Sequence, residues 1–272
     1  GIKIPSDIKI TMNLGACMEG ASIVILAVPA VAVRQVSEEV SVYAKKDQIL
    51  CVVSKGIEPK TNMFMSEILY QATKNENICM ISGPSFAIEI AKGAKTGFNI
   101  ACKNIEVANI VKEQFENGLV VSTCDDIIGV QVAASIKNVF AIFMGMLTGM
   151  DMTDSYKASC LACLVRDLGE VIVALGGKRD TIFTYAGLGD MLLTCMSSKS
   201  RNFTFGTYIG RGYSMQNAFE TMSVKTVEGI YTLSTITDLM KSKNFKVKSL
   251  EVLYGILYNN DSKDNLLDKI RM

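Results

Sequence analysis

The sequence predicts an α/β protein in which an open parallel sheet is followed by an all-helical domain. Three observations predict it. Short apolar, β-branched runs recur through the first 126 residues, each closed by turn residues. Segments of helical length separate those runs. From about Asp126 onward the strand-like runs stop and only helical patterns remain.

The elements follow in order. Ala21–Val28 (ASIVILAV) ends at Pro29, Gln48–Val53 (QILCVV) at Ser54-Lys55-Gly56, and Ile78–Ile81 (ICMI) at Ser82-Gly83-Pro84. Apolar runs this short, with turn residues at their carboxyl ends, suit strands buried on both faces. Thr96–Cys102 and Leu119–Ser122 read as further strands. Ala30–Tyr43 and Asn62–Thr73 are helix-length, which makes the alternation βαβ. A helix beginning FAIEIAKG is expected after Ser85, with Ser85 as its cap. In the second half, Gly129–Leu147, Ser155–Leu175, Gly187–Met196, Ser214–Met222, Val227–Ser242 and Ser249–Tyr258 read as helices. Gly176-Gly177, Gly206 and Gly210-Arg211-Gly212 read as breaks between them. The expected domains are therefore 1–126 and 127–272.

Composition narrows the function classes. The chain has 272 residues, 49% hydrophobic and 20% charged, with net charge +1. That is enough chain for a substantial core. It offers no field-scale attraction to nucleic acid or an anionic membrane. No charge-free apolar stretch reaches 18 residues, so no membrane span is expected. Eight cysteines lie mostly in apolar runs, and no secretion signal is visible, which suits reduced thiols in the cytoplasm. Cys160 and Cys163 form a CxxC inside a helical run; with no histidine in the chain, no metal site is expected. Without histidine, any general acid or base must be Lys, Asp, Glu, Tyr or Cys.

Lys137 is the first candidate. It interrupts VAASIKNVFAIFMG (132–145), where apolar or small residues surround it on almost every side. A lysine on such a helix either snorkels to water or is buried against a partner. Burial lowers an ammonium's pKa and makes it a usable acid–base group near neutrality. Asn138 follows directly and is expected to hold either a substrate or the lysine.

Other candidates sit where open α/β sheets bind ligands, beyond the carboxyl ends of strands. These are Pro29, Lys55, and Gly83-Pro84-Ser85-Phe86-Ala87. In the helical half, Asp190 and Thr194 stand four apart and share one face. Gly187-Leu188-Gly189 only superficially resembles a dinucleotide loop, because Leu192 takes the third glycine's place and no strand precedes it. Ser200-Arg201-Asn202 groups donors suited to a phosphate or to a solvated turn. Glu228 is read as a first-turn helix acid, with or without a further role.

Taken together, the strings AVP (27–29), SKGIE (54–58), GPSFAIEIAKGAKTG (83–97), DDIIGVQVAASIKNVFAI (125–142), AGLGDMLLTCMSSKSRN (186–202) and VEG (227–229) resemble the bacterial-type NAD(P)-dependent glycerol-3-phosphate dehydrogenases. They recur in the family's order across most of the chain. The resemblance implies a Rossmann-like domain before the helical one. It also implies hydride transfer between NAD or NADP and carbon 2 of dihydroxyacetone phosphate or glycerol 3-phosphate, feeding phospholipid synthesis. By resemblance, Lys137 is the acid–base group at the C2 oxygen. Lys55, Gly83, Ser85, Asp190, Ser200, Arg201 and Asn202 line the substrate, with Arg201 and Asn202 nearest the phosphate; from their places in the sequence, Asn138 and Thr194 are expected to join them. Lys55, Ala87, Arg201 and Glu228 border the cofactor, and Pro29, at the carboxyl end of the first strand, is expected there too. Pairing of Asp190 with Lys137 is our own inference from charge. A homodimer is a compatible assembly.

The sequence departs from the family pattern in places. Lys95 stands where a proline is usual, and the stretch before Lys157 is altered. The glycine-rich dinucleotide fingerprint is not found, so the sheet domain is expected to be incomplete at its N-terminal side, starting just before the fold's third strand. Two other readings follow: a non-catalytic remnant that binds a small phosphate, and a related β-hydroxyacid or 6-phosphogluconate dehydrogenase. The SKSRN string and the GLGD helix argue against the latter.

Overall fold

The computed structural model describes residues 2, 4–116, 118–224 and 226–271. Five strands form one sheet: β1 (Ile23–Leu26), β2 (Ile49–Val52), β3 (Ile78–Ser82), β4 (Gly97–Cys102) and β5 (Val120–Cys124). Helices α1 (Leu14–Met18), α2 (Val33–Ser41), α3 (Met65–Thr73), α4 (Ala87–Ile90) and α5 (Ile105–Glu113) lie among them. The helical half follows as α6 (Ile127–Gly149), α7 (Asp154–Ala174), α8 (Asp190–Cys195), α9 (Arg201–Gly210), α10 (Met215–Met222), α11 (Glu228–Ser242), α12 (Lys248–Tyr258) and α13 (Leu266–Ile270).

The strands pair in simple sequence order, β1-β2-β3-β4-β5, so the described sheet winds in one direction with β1 at an edge. No strand precedes β1 among the described residues. β1, β2 and β3 are parallel, but β4 runs antiparallel to β3, which corrects the expectation of a parallel sheet. The reason lies in the connection. A parallel crossover needs an element long enough to carry the chain back along the sheet, usually a helix. Between β3 and β4 the only helix is α4, four residues or roughly 6 Å of rise. The chain therefore turns back at the same end. Gly83 makes that return possible: a Cβ there would lie 2.3 Å from the Gly97 carbonyl oxygen.

Both sheet faces are covered, so alternate strand residues enter different cores. Leu50, Val52, Met80 and Ala101 pack with Met65 and Ile68 of α3 and with Val130 and Ala134 of α6. Cys51, Cys79, Ile100 and Cys102 pack against Val107, Ala108 and Val111 of α5.

Helix α6 also organises the third core. It is apolar around its whole circumference, as a helix buried on all sides must be. By length and composition it would suit a membrane span, yet 94% of its most apolar window is buried inside this fold. Asp126 caps it, accepting from Gly129 N at 2.9 Å with one oxygen and from Lys178 N at 2.8 Å with the other.

Helix α9 corrects the reading of Gly206 and Gly210 as breaks. Both lie inside it, packed on α6, where Gly145 and Gly149 answer them. A Cβ on Gly206 would stand 2.0 Å from the Ile142 carbonyl oxygen, and one on Gly145 2.0 Å from that of Phe203. The glycines serve backbone contact between two helices. Two smaller readings also change. Ser85 does not cap α4, whose N-cap is Phe86. The helix expected from Gly187 begins with a π-type turn, Tyr185–Gly189, before α8 proper.

Candidate active site

The site is built where α6 passes the carboxyl ends of β2 and β3. Lys137 sits in the middle of α6 and is only 7% exposed. Its ammonium does not snorkel. It donates to Asp190 Oδ1 in a short hydrogen bond and to Thr194 Oγ1 at 3.1 Å. Asp190 opens α8 and is fully buried; the four-residue spacing puts Thr194 on the same face, where its hydroxyl donates to the Asp190 carbonyl oxygen at 2.6 Å. The second oxygen of Asp190 accepts from Lys55 Nζ at 2.8 Å. Lys55 comes from the loop after β2 and keeps part of its side chain in contact with solvent.

Two ammoniums thus share one carboxylate, leaving a local excess of one positive charge. This decides the titration of Lys137. Burial lowers its pKa most, and the Lys55 charge lowers it further; Asp190 opposes both, and the result is about 8. An ammonium at that value exchanges its proton near neutral pH, which is what a general acid–base group requires.

A second network lies beside the first. Asn202, second residue of α9, donates through Nδ2 to Asn138 Oδ1 at 3.0 Å and accepts from Gly229 N at 2.9 Å. Asn138 Nδ2 in turn donates to Glu228 Oε2 at 3.3 Å. α6, α9 and the start of α11 are locked together there.

Further predicted residues take different positions. Ser200 caps α9, accepting from Phe203 N at 3.3 Å. Arg201 is exposed, and its guanidinium makes no hydrogen bond or ion pair with the protein among the described residues. Pro29 and Ala87 are exposed beyond β1 and β3. Gly83 is buried and occupied in backbone packing; Ser85 Oγ makes only a long contact, 3.4 Å, to the Gly83 carbonyl oxygen. So direct hydrogen bonds join Lys55, Lys137, Asp190 and Thr194 in one group, and Asn138, Asn202 and Glu228 in another. Pro29, Gly83, Ser85, Ala87, Ser200 and Arg201 are bonded to neither group among the described residues.

Matches to known families agree with this architecture. Residues 1–108 match the model for the N-terminus of NAD-dependent glycerol-3-phosphate dehydrogenase, and residues 126–268 match the model for its C-terminus. The chain belongs to the NAD-dependent glycerol-3-phosphate dehydrogenase family. A relative in Listeria innocua named glycerol-3-phosphate dehydrogenase [NAD(P)+] is 33% identical over 271 residues, covering 98% of this chain and 80% of the relative. The crystal structure of glycerol-3-phosphate dehydrogenase from Coxiella burnetii superposes with a TM-score of 0.88 at 25% identity, covering 98% of this chain and 82% of that one. The Plasmodium falciparum glycerol-3-phosphate dehydrogenase gives 0.91 at 15% identity, covering 100% of this chain and 79% of that one, a likeness of fold.

Sequence reasoning missed one tie in this dehydrogenase fold. Glu89 of α4 and Lys199, two residues before Arg201, form an ion pair at 2.6 Å, with the Lys199 ammonium 5.5 Å from the Phe86 ring centre. It links the Ser85 loop to the start of α9. The residues lie 110 apart in sequence, and neither stands out in composition.

Proposed function

We propose that this chain transfers hydride reversibly between NAD(H) or NADP(H) and carbon 2 of dihydroxyacetone phosphate or glycerol 3-phosphate. The product supplies glycerophospholipid synthesis. The observation that carries the reading is the Lys137–Asp190–Lys55 group, placed beyond the strand ends in a chain of this family.

Reduction of a ketone builds negative charge on its oxygen. In this reading the C2 oxygen lies against Lys137 Nζ, which stabilises that charge and then gives up a proton to it. Asp190 keeps the ammonium aimed and charged until the proton moves. Lys55 adds a second positive charge, which favours an anionic substrate. Thr194 fixes the rotamer of the acid–base pair. Arg201, without a protein partner among the described residues, offers its planar fork to the substrate phosphate, and that remote anchor orients the reacting carbon. Asn138 and Asn202 hold the α6–α9 junction from which these groups project, and Ser200 anchors the start of α9. Gly83 and Ser85 border the substrate from the sheet side.

The donor set fits a nicotinamide dinucleotide at its reactive end. Pro29 and Ala87 present open surface beyond β1 and β3, while Lys55 and Arg201 bring cations to an anionic cofactor, with Glu228 held beside Asn138. When bound, the nicotinamide supplies or accepts the hydride at C2. We place the protein in the cytoplasm, where its eight free cysteines stay reduced. We also propose a homodimer, in which the Phe183 side chain, 76% exposed, would be covered.

The test is oxidation of NADH and NADPH on addition of dihydroxyacetone phosphate, followed by absorbance. Turnover with at least one cofactor is expected. Binding of glycerol 3-phosphate with no turnover in either direction would leave only a phosphate-binding protein.

A further inference from the structure

The loop that carries Lys55 does not fix its own direction. Gly56, next in the chain, has φ of +149°, a backbone state that glycine visits freely and other residues rarely adopt. The lysine must therefore be aimed by anchors on either side. On one side, Ser54 Oγ donates to the Val28 carbonyl oxygen at 2.5 Å. On the other, Arg34 of α2 grips Glu58 with two parallel hydrogen bonds, Nε to Oε1 at 2.6 Å and Nη2 to Oε2 at 2.6 Å. Gln71 Oε1 accepts from Arg34 Nη1 at 2.9 Å and so fixes the guanidinium plane. The turn closes through Glu58 N to the Met63 carbonyl oxygen at 2.9 Å. Both anchors land on one segment, Val28–Arg34, which also carries Pro29. Between them, a Cβ on Gly56 would stand 3.3 Å from the Ala30 Cβ.

An exposed ion pair of the ordinary kind contributes little. This one differs in its two-pronged geometry and in the partial shielding of its carboxylate, whose side chain is 19% exposed. The Arg34 guanidinium holds Glu58 below the usual carboxylate range, so the pair stays charged.

We propose that Arg34 and Glu58 are positioning residues: their paired fork locks the Lys55 loop to the Pro29 segment, so that Lys55 meets Asp190 and the anionic substrate together. The inference rests on the substrate reading above. Neither residue touches the reacting atoms. They act through Lys55 and tie the substrate side of the site to its cofactor side.

The experiment is calorimetric titration of glycerol 3-phosphate, with and without NADH, into the wild type, Lys55→Ala, Glu58→Gln and the swapped pair Arg34→Glu/Glu58→Arg, with thermal melts of each. Glu58→Gln is expected to weaken binding at least fivefold, towards the level of Lys55→Ala, and the swap to recover most of the loss. Wild-type affinity in Glu58→Gln beside weak binding in Lys55→Ala would overturn the inference and leave the substrate reading standing, even if the melting temperature fell. No binding by the wild type would overturn the substrate reading and this inference with it. Should Glu58→Gln fail to fold, Arg34→Lys carries the same test, since it keeps the charge and loses the fork; at least a threefold loss is expected, and none would overturn the proposal.

Discussion

Lys137 and Lys55 donate to opposite oxygens of the same carboxylate, Asp190, the first from inside a buried helix and the second from a half-open loop. The arrangement sets charge against charge in a place water scarcely reaches. The acidity of Lys137, the stability of the helical core and the response to an anionic ligand all depend on it.

Removing the lysine separates chemistry from folding. Lys137→Met is expected to lower kcat by about 10²- to 10⁴-fold, the usual contribution of a general acid. Asp190 keeps Lys55 as its partner, so the fold survives. Steady-state rates with dihydroxyacetone phosphate, taken beside a thermal melt, check both halves. A variant with near-normal kcat would remove Lys137 from the chemistry.

The pH profile follows from a Lys137 pKa of about 8. Ketone reduction needs the ammonium, so its kcat/KM should be flat at neutral pH and fall as pH rises through about 8. Oxidation of glycerol 3-phosphate needs the free amine and should rise over the same range. Lys55→Met removes a neighbouring positive charge that lowers this pKa, so the midpoint should move upward. An unmoved midpoint would show that Lys55 is not felt at Lys137.

The same group affects stability with a definite sign. Its folded pKa lies below the ordinary 10.5. Between about 8 and 10.5 the unfolded chain holds a proton that the folded chain has released, so Lys137 makes stability rise with pH across that window. The urea midpoint of the wild type should rise relative to that of Lys137→Met between pH 7.5 and 10 if the buried ammonium is the source.

Asp190→Asn leaves two ammoniums facing each other without their carboxylate. Breaking a buried pair in this way costs about 3–5 kcal/mol. The denaturant midpoint should fall accordingly, and the kinetic midpoint should move to lower pH, because Asp190 is the group that holds the Lys137 pKa up.

Gly206→Ala tests the crossing that sets α9. The new methyl would meet the Ile142 carbonyl oxygen at 2.0 Å, contact that backbone cannot yield cheaply. A loss of about 1–3 kcal/mol or more is expected. Asn202 rides on the same helix, so the affinity for glycerol 3-phosphate should fall as well. Unchanged affinity in a destabilised variant would mean that the Asn138–Asn202 contact does not shape the site.

Much of this was legible in the chain itself. The five apolar runs became the five strands, and the long apolar helix around Lys137 became the central helix of the fold. Strand direction was not legible, because an apolar run looks the same in either direction; the shortness of α4 reversed β4. Helix α9 was hidden because Gly206 and Gly210 look like breaks until a second helix lies against them. Ser200-Arg201-Asn202 read as one donor cluster, yet folding divides it: Ser200 caps the helix, Asn202 bonds Asn138 and Gly229, and only Arg201 is left facing outward.

By itself, the sequence determined that Lys137 would be costly to bury and would need either a partner or a path to water, because its helical neighbours are apolar on nearly every side. It also determined the family, through strings that recur in order along the chain. Only the tertiary structure chose the partner. Asp190 lies 53 residues from Lys137, and Lys55 lies 135 residues from Asp190. Burial and Coulomb interactions act through space, so a pKa near 8 comes into being only when the fold brings these three groups within a few ångströms of one another.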